Sequence, residues 1–387
     1  MGAAAGLHGI LVVDKPKGWT SHDVVARVRR IAGQRQVGHG GTLDPMATGV
    51  LALGLGQGTR LLEFVSDGRK TYEATVRFGA ATDSYDADGS ITVEADWRHL
   101  TEDGVRKALA GFVGDILQRP PAFSAIKRAG VPLYQLARRG EHVEVEPREV
   151  TVFRLEVIRL DLPDLELIVE CSSGTYVRSL AHDLGQTLGS AAYLTSLRRT
   201  AAGTLGIADA VTLETLDGGG PELLALSLLA LDRPVWRLPV IIVNSEHARD
   251  AIQGRKLPAQ PQTVDICRAY GANGDFLALL RYDAAGSYWQ PHKVFTAAAD
   301  IAAVTEYGAV LTGGGTVSGE GRDQKTFAGS AGEPLVGGHE LEAYCVKCRD
   351  KREMSQPKQI TMKNGKPAVQ GKCPVCGTTM NKIGATV

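Results

Sequence analysis

Apolar positions along the chain fall into short blocks whose period changes from one block to the next. Residues 9–14 (GILVVD) and 51–55 (LALGL) are continuous apolar runs of strand length. Between them Val24, Val25, Val28 and Ile31 recur at helical spacing. Thr20, with Asp23 three residues on, has the spacing of a capping box that would open this helix. Residues 58–62 begin a second helix. Residues 70–79 alternate as a half-buried strand does, and residues 151–159 and 165–171 alternate likewise with only a short turn between them, which predicts a hairpin. Residues 101–118 read as one helical segment. Residues 118–127 contain adjacent prolines and are predicted to form a loop or edge element, with a short helix of basic end over residues 134–139. Past Gly174 the chain leaves a strand and enters a helix carrying Leu180, Leu184 and Leu188. From about Val240 to Val310 short strands dominate, with residues 241–243, 263–266 and 276–280 as candidates. Residues 312–339 are glycine-rich and polar and are expected to form a flexible linker.

Composition narrows the class. A chain of 387 residues has material for two or three domains with buried cores, and 43% hydrophobic content is globular. No apolar run approaches the roughly 18 residues of a membrane span, and the start, MGAAAGLHG, lacks the basic and apolar regions of a secretory signal. Lys+Arg and Asp+Glu are both 43, so a nucleic-acid binder of this composition must concentrate its cations locally. Residues 1–39 hold six Lys/Arg against two acids, and residues 340–387 hold nine against four. Cys171 and Cys267 stand alone while the other four cysteines form two CxxC pairs, which is no disulfide framework. A reduced, cytoplasmic protein is expected.

Candidate chemistry concentrates in residues 37–51, VGHGGTLDPMATGVL. Glycines at this density let the backbone approach a ligand closely. Pro45 biases Asp44 away from the α region, so its carboxylate is held on an extended or turn backbone, as a positioned nucleophile or base would be. A second chemical stretch is residues 171–180, CSSGTYVRSL. Arg178 there falls in the first turn of a helix, where the dipole disfavours a cation, so an anionic partner is expected and Asp44 is the obvious one. Cys171 reads as a strand-end core residue. The acidic run over residues 82–89 lacks the spacing and following glutamate of an EF-hand loop. Arg27, Arg29 and Arg30 read as a solvated helix face. In the tail, Cys345 and Cys348 are separated by 24 residues from Cys373 and Cys376. Four soft ligands in two such knuckles suit one tetrahedral structural zinc, whereas a dithiol redox pair would not need the second CxxC.

GGTLDPMATGVL, with His39 five residues before the aspartate, resembles the active-site motif of the TruB family of tRNA pseudouridine synthases. Further elements resemble the same family: Asp14-Lys15-Pro16-Lys17-Gly18, the TDSYDADG turn over residues 82–89, the PPAFSAIK stretch, GTYVRSL, and Leu197-Arg198-Arg199-Thr200. Residues 9–310 are covered by the likeness. It implies an α/β (α+β) pseudouridine synthase fold, with a central mixed, largely antiparallel sheet over residues 1–232. A small PUA-like β-barrel that can contact tRNA is implied over 238–311. Residues 340–387 resemble small zinc-ribbon domains and are foreign to ordinary TruB enzymes. The implied reaction converts uridine 55 in the T arm of tRNA to pseudouridine, with the base flipped out of its stack. Asp44 is implied as the catalytic residue, and Lys15, His39, Tyr72, Tyr176, Arg178, Leu197 and Arg199 as substrate-site residues. Tyr72 would stack on the uracil, Arg178 would pair with Asp44, and His39 would occupy or brace the vacated loop. The 82–89 turn is implied to be structural. The chemistry requires no cofactor, zinc would be structural, and a monomer acting on tRNA without a membrane is expected. A non-catalytic RNA-binding module and a synthase acting on other RNA are the rival readings; intact Asp44, Tyr72 and Arg178 argue against the first, and the GTYVR context argues against the second.

Overall fold

A computed structural model describes residues 6–124, 126–128, 130–133, 139, 145–260 and 264–295, together with the strands of a C-terminal unit between residues 342 and 383. The chain divides into two compact units, residues 1–319 and 320–387. The helix expected over residues 134–139 and the linker over 312–339 lie outside the described residues, as do Cys348, Cys373 and Cys376 of the expected zinc site.

The first unit is built on a mixed sheet. Its strands run in the order Val211–Thr212, Gly9–Lys15, Thr48–Leu55, Ala192–Ala202, Lys70–Phe78, Asp164–Cys171, Arg148–Asp161 and Gly114–Gln118. Neighbours are antiparallel except at two places, where Val211–Thr212 meets Gly9–Lys15 and where Ala192–Ala202 meets Thr48–Leu55. The expected mixed, largely antiparallel sheet is thus present. One face carries the core: Leu11, Val13, Leu51, Leu53, Ala74, Val76, Leu167 and Val169 are buried and pack under the helices Ser21–Ala32, Glu102–Ala110 and Val177–Thr187. Lys70–Phe78 shows why the strand alternates. Its even-numbered positions face this core, whereas Glu73 and Arg77 are solvent-exposed.

The capping box at Thr20 and Asp23 is formed and opens the helix Ser21–Ala32. The hairpin expected across residues 151–171 is the antiparallel pair Arg148–Asp161 and Asp164–Cys171. The single helix expected over residues 101–118 is not: a helix covers Glu102–Ala110 and stops at Gly111, and Gly114–Gln118 is the edge strand of the sheet. Pairing with residues 148–152 overrides the helical pattern there.

A second sheet runs in the order Val240–Val243, Ile266–Gly271, Phe276–Asp283, Tyr288–Val294 and Leu257–Pro258, with the helix Ser245–Ile252 against it. The strand expected at 263–266 begins instead at Ile266. Leu279 and Phe295 of this part pack on Leu61 and Val235, so both sheets belong to the one compact unit. In the C-terminal unit, Glu342–Cys345 pairs with Asp350–Glu353, and Pro367–Lys372 pairs with both Ser355–Thr361 and Thr379–Ile383.

Candidate active site

Asp44 lies on the connection between the strands Val37–His39 and Thr48–Leu55, at the edge of the core face. Its conformation is set by a set of hydrogen bonds aimed at the main chain around it. Gly18 N donates to Pro45 O at 2.8 Å. Leu43 N donates to Ser21 Oγ at 2.9 Å, and that hydroxyl donates back to Leu43 O at 3.2 Å. Lys15 is fully buried, and its Nζ donates to Pro16 O (2.9 Å), Trp19 O (2.8 Å) and Pro45 O (3.3 Å). Arg199, also buried, donates from Nε to Val50 O at 2.8 Å, from Nη1 to Thr42 O at 3.3 Å and from Nη2 to Gly41 O at 3.1 Å. The Lys15 ammonium and three of the Arg199 N–H groups are thereby bonded to carbonyls. These two cations brace the aspartate loop from beneath. Gly49 permits the arrangement: its φ is +98°, and a Cβ there would run into the Arg199 carbonyl oxygen.

Arg178 opens the helix Val177–Thr187, one position inside its N-terminus, and its side chain is 4% exposed. Its Nε stands 2.9 Å from Asp44 Oδ2, so the partner expected from the helix dipole is the one found. No hydrogen bond of acceptable angle reaches that Nε, which makes the pairing an ionic contact. The other end of the guanidinium is fixed from behind. Nη1 donates to Ser84 O at 2.9 Å and lies 3.4 Å from Asp86 Oδ2, and Nη2 donates to Phe123 O at 2.9 Å. Asp86 therefore belongs to the site, although its turn reads as structural in the sequence. The turn is anchored by Ala87 N to Leu194 O and Leu194 N to Tyr85 O. Burial raises the pKa of Asp86, opposed by its Ser84 hydrogen bond and by Arg178.

Tyr72 and Arg199 are register partners on adjacent strands, as are Ala74 and Leu197. Leu197 is buried. Burial raises the Tyr72 pKa, with Arg199 opposing and Asp44 adding, which puts all three in one electrostatic neighbourhood. Tyr176 joins them: burial raises its pKa, and Asp44 raises it further while Arg178 lowers it. Burial pulls Lys15 down to about 8, against the attraction of Asp44, and Arg199 pulls it further. His39 ends its strand half-buried, its ring edge-on to His22 at 5.2 Å between centroids and its Nδ1 without a hydrogen-bond partner. Burial lowers its pKa, and His22 and Arg199 add to the effect.

The site thus presents one carboxylate, 33% exposed, beside a buried guanidinium and two tyrosine rings. Such a group can attack an electrophilic carbon or take a proton. Among the described residues no cluster of His, Cys, Asp or Glu suits a metal ion.

A family model described as the N-terminal domain of TruB family pseudouridylate synthases matches residues 29–177, and one described as the C-terminal domain of tRNA pseudouridylate synthase B matches residues 178–219. tRNA pseudouridine synthase B of Dehalococcoides mccartyi is 42% identical over 294 residues, which are 75% of this chain and 97% of that protein. The chain belongs to the TruB family. The enzyme of the same name from Geobacter sulfurreducens is 50% identical to this TruB-family chain over 210 residues, 54% of this chain and 69% of that protein. Among solved structures, a Cbf5–Nop10–Gar1 complex matches with a TM-score of 0.60 at 26% identity, over 76% of this chain and 87% of that one. An H/ACA ribonucleoprotein bound to a substrate RNA containing 2′-deoxyuridine shares the fold, with a TM-score of 0.58 at 24% identity over 75% of this chain and 86% of that one. Residues 344–383 match a domain of unknown function, DUF5679. The TruB-family chain is therefore a pseudouridine synthase, an isomerase, with an additional C-terminal unit.

Proposed function

We propose that this enzyme isomerises uridine 55 in the T arm of tRNA to pseudouridine, with Asp44 as the catalytic carboxylate. The observation that carries the reading is the Asp44–Arg178 contact of 2.9 Å, set beside Tyr72 at the edge of a pseudouridine synthase sheet. The N1–C1′ bond breaks, the uracil turns, and a C5–C1′ bond forms while the C5 proton leaves and N1 gains one. The product is an isomer, so neither an oxidant nor an energy source enters the balance. Asp44 serves either by attacking C1′ or by removing a sugar proton after bond cleavage. The uridine is extruded from its loop at a cost of a few kcal/mol. Stacking on Tyr72, worth roughly 1–3 kcal/mol, offsets part of it. His39 faces the position the base vacates, Leu197 and Tyr176 line the pocket, and the second sheet contributes PUA-like contacts to the tRNA. The enzyme acts as a monomer in the cytoplasm.

The C-terminal unit binds one structural zinc through Cys345, Cys348, Cys373 and Cys376. Support comes from the described strands on either side of each CxxC. Cys345 ends a strand paired with Asp350–Glu353, and Cys373 and Cys376 fall between Pro367–Lys372 and Thr379–Ile383, which also pair. One CxxC begins at the end of a paired strand and the other lies in sequence between two paired strands, and their four thiolates are the donor set of a tetrahedral zinc. The ion supplies folding energy to this unit and takes no part in the isomerisation.

Treating an unmodified tRNA transcript with the purified enzyme and mapping pseudouridine tests the central reading. Modification at position 55 is expected. Its absence, or modification only elsewhere, overturns the substrate assignment.

A further inference from the structure

Trp19 is 37% exposed, although its backbone and its neighbours are hydrogen-bonded to the segment that carries Asp44. Gly18, just before it, and Ser21, two residues after it, bond the residues on either side of Asp44: Gly18 N reaches Pro45 O, and Ser21 Oγ is bonded to both the amide and the carbonyl of Leu43. The Trp19 carbonyl itself accepts from Lys15 Nζ, which also holds Pro45 O. The backbone of Trp19 is thus registered to the backbone of Asp44 by bonds at three points. His22, the next residue but two, touches the ring of His39. Lys17, two residues before Trp19, is exposed.

We propose that the Trp19 indole is a stacking surface for an unpaired base of the RNA substrate beside the uridine that enters the site. The inference rests on the substrate reading above. Extruding one base removes the stacking partner of its neighbours, and an exposed aromatic side chain whose backbone is tied to that of the catalytic aspartate can replace it. A tryptophan whose backbone is already fixed has only its two side-chain torsions to order on binding, and stacking of this kind accepts any base. Lys17 supplies a cation for the adjoining phosphate. The competing role for Trp19 is packing alone: it precedes the N-cap Thr20 and could staple the helix by resting on Val24. A staple needs apolar bulk, whereas a base needs a π-face, and this separates the two roles.

Trp19→Ala, Trp19→Leu and Trp19→Phe enzymes are compared on unmodified tRNA transcript, after the wild type has been shown to modify position 55. The stacking role requires KM and Kd to rise about 5- to 150-fold for both Ala and Leu and to stay near the wild-type value for Phe. It also requires kcat at saturating tRNA to fall no more than threefold, and the slope of log Kd against log salt to remain that of the wild type, because no phosphate contact is lost. A Leu enzyme equal to the wild type, or an Ala enzyme with unchanged KM, overturns the proposal and assigns Trp19 to the staple. A wild type that leaves position 55 unmodified overturns the substrate reading instead.

Discussion

Replacing Arg178 by lysine keeps one positive charge in the site and removes the fork that spreads it. The guanidinium spans four acceptors: Asp44 at 2.9 Å, Asp86 at 3.4 Å, and the Ser84 and Phe123 carbonyls at 2.9 Å each. An ammonium is a point donor and reaches either the front of this set or the back. Hydrogen bonds to a charged group are worth about 1.5–3 kcal/mol. Losing one carbonyl contact and keeping the other therefore places the stability cost at about 1.5–3 kcal/mol. If lysine settles on the buried Asp86, Asp44 loses the contact that aims its carboxylate. A displacement of about 1 Å at a reacting group costs about 100-fold in rate, or about 2.7 kcal/mol of barrier. Single-turnover reactions on tRNA carrying uridine tritiated at C5 report the chemical step directly, since the C5 hydrogen is released to water as the new glycosidic carbon forms. Thermal unfolding measured in parallel confirms that the enzyme is folded at the assay temperature. A folded Lys enzyme within threefold of the wild-type single-turnover rate would show that charge alone suffices and that no fork geometry is needed.

Asp44→Asn should abolish pseudouridine formation while tRNA binding stays within several-fold of wild type, because phosphate contacts dominate the affinity; measurable turnover would remove Asp44 from the chemistry. Lys15 titrates near 8 when folded and near 10.5 when unfolded, so between those values the unfolded chain carries the extra proton and stability rises with pH. Lys15→Met should flatten that part of the stability–pH profile in urea denaturation, and unchanged slopes would mean that Lys15 stays charged throughout. Chelation should remove one zinc per chain and unfold the C-terminal unit. An enzyme ending near Gly313 should still modify saturating tRNA and lose affinity chiefly at low salt, where the basic tail contributes. Loss of turnover on truncation would make that unit part of the active enzyme.

Much of the site was legible because its chemistry is local. The Asp44–Pro45 turn, the glycines before it and the entry of Arg178 into a helix are all set within a few residues, and the dipole argument led from Arg178 to Asp44. What escaped depends on distant strands. Asp86 is one turn residue among several acids until Leu194 pins its backbone and Arg178 arrives from another element. Lys15 reads as a loop cation that could meet RNA, whereas in the fold its ammonium is taken up by the nearby Pro16 and Trp19 carbonyls and, from across the fold, by that of Pro45. Trp19 carries no signal by type alone; its exposure is a tertiary fact. In the fold, residues 114–118 have enough apolar character to extend a helix, and the free edge of Arg148–Asp161 decides otherwise. The helix Leu213–Leu226 runs through Gly218-Gly219-Gly220-Pro221 with a kink at Gly220, a run whose composition signals a break.

The braces around Asp44 have an effect on how this enzyme tolerates change. Lys15, Arg199, Gly18 and Ser21 all act on carbonyls, which every residue type offers, or on amides, which every type but proline offers. The exposed position Thr42 can therefore drift without moving the carboxylate, since its contribution to the scaffold is a main-chain oxygen. Fragility sits elsewhere, at the buried cations Lys15 and Arg199. A survey of inactive variants would find damage far along the chain from Asp44, at residues whose loss leaves the reacting group in place chemically but free to wander.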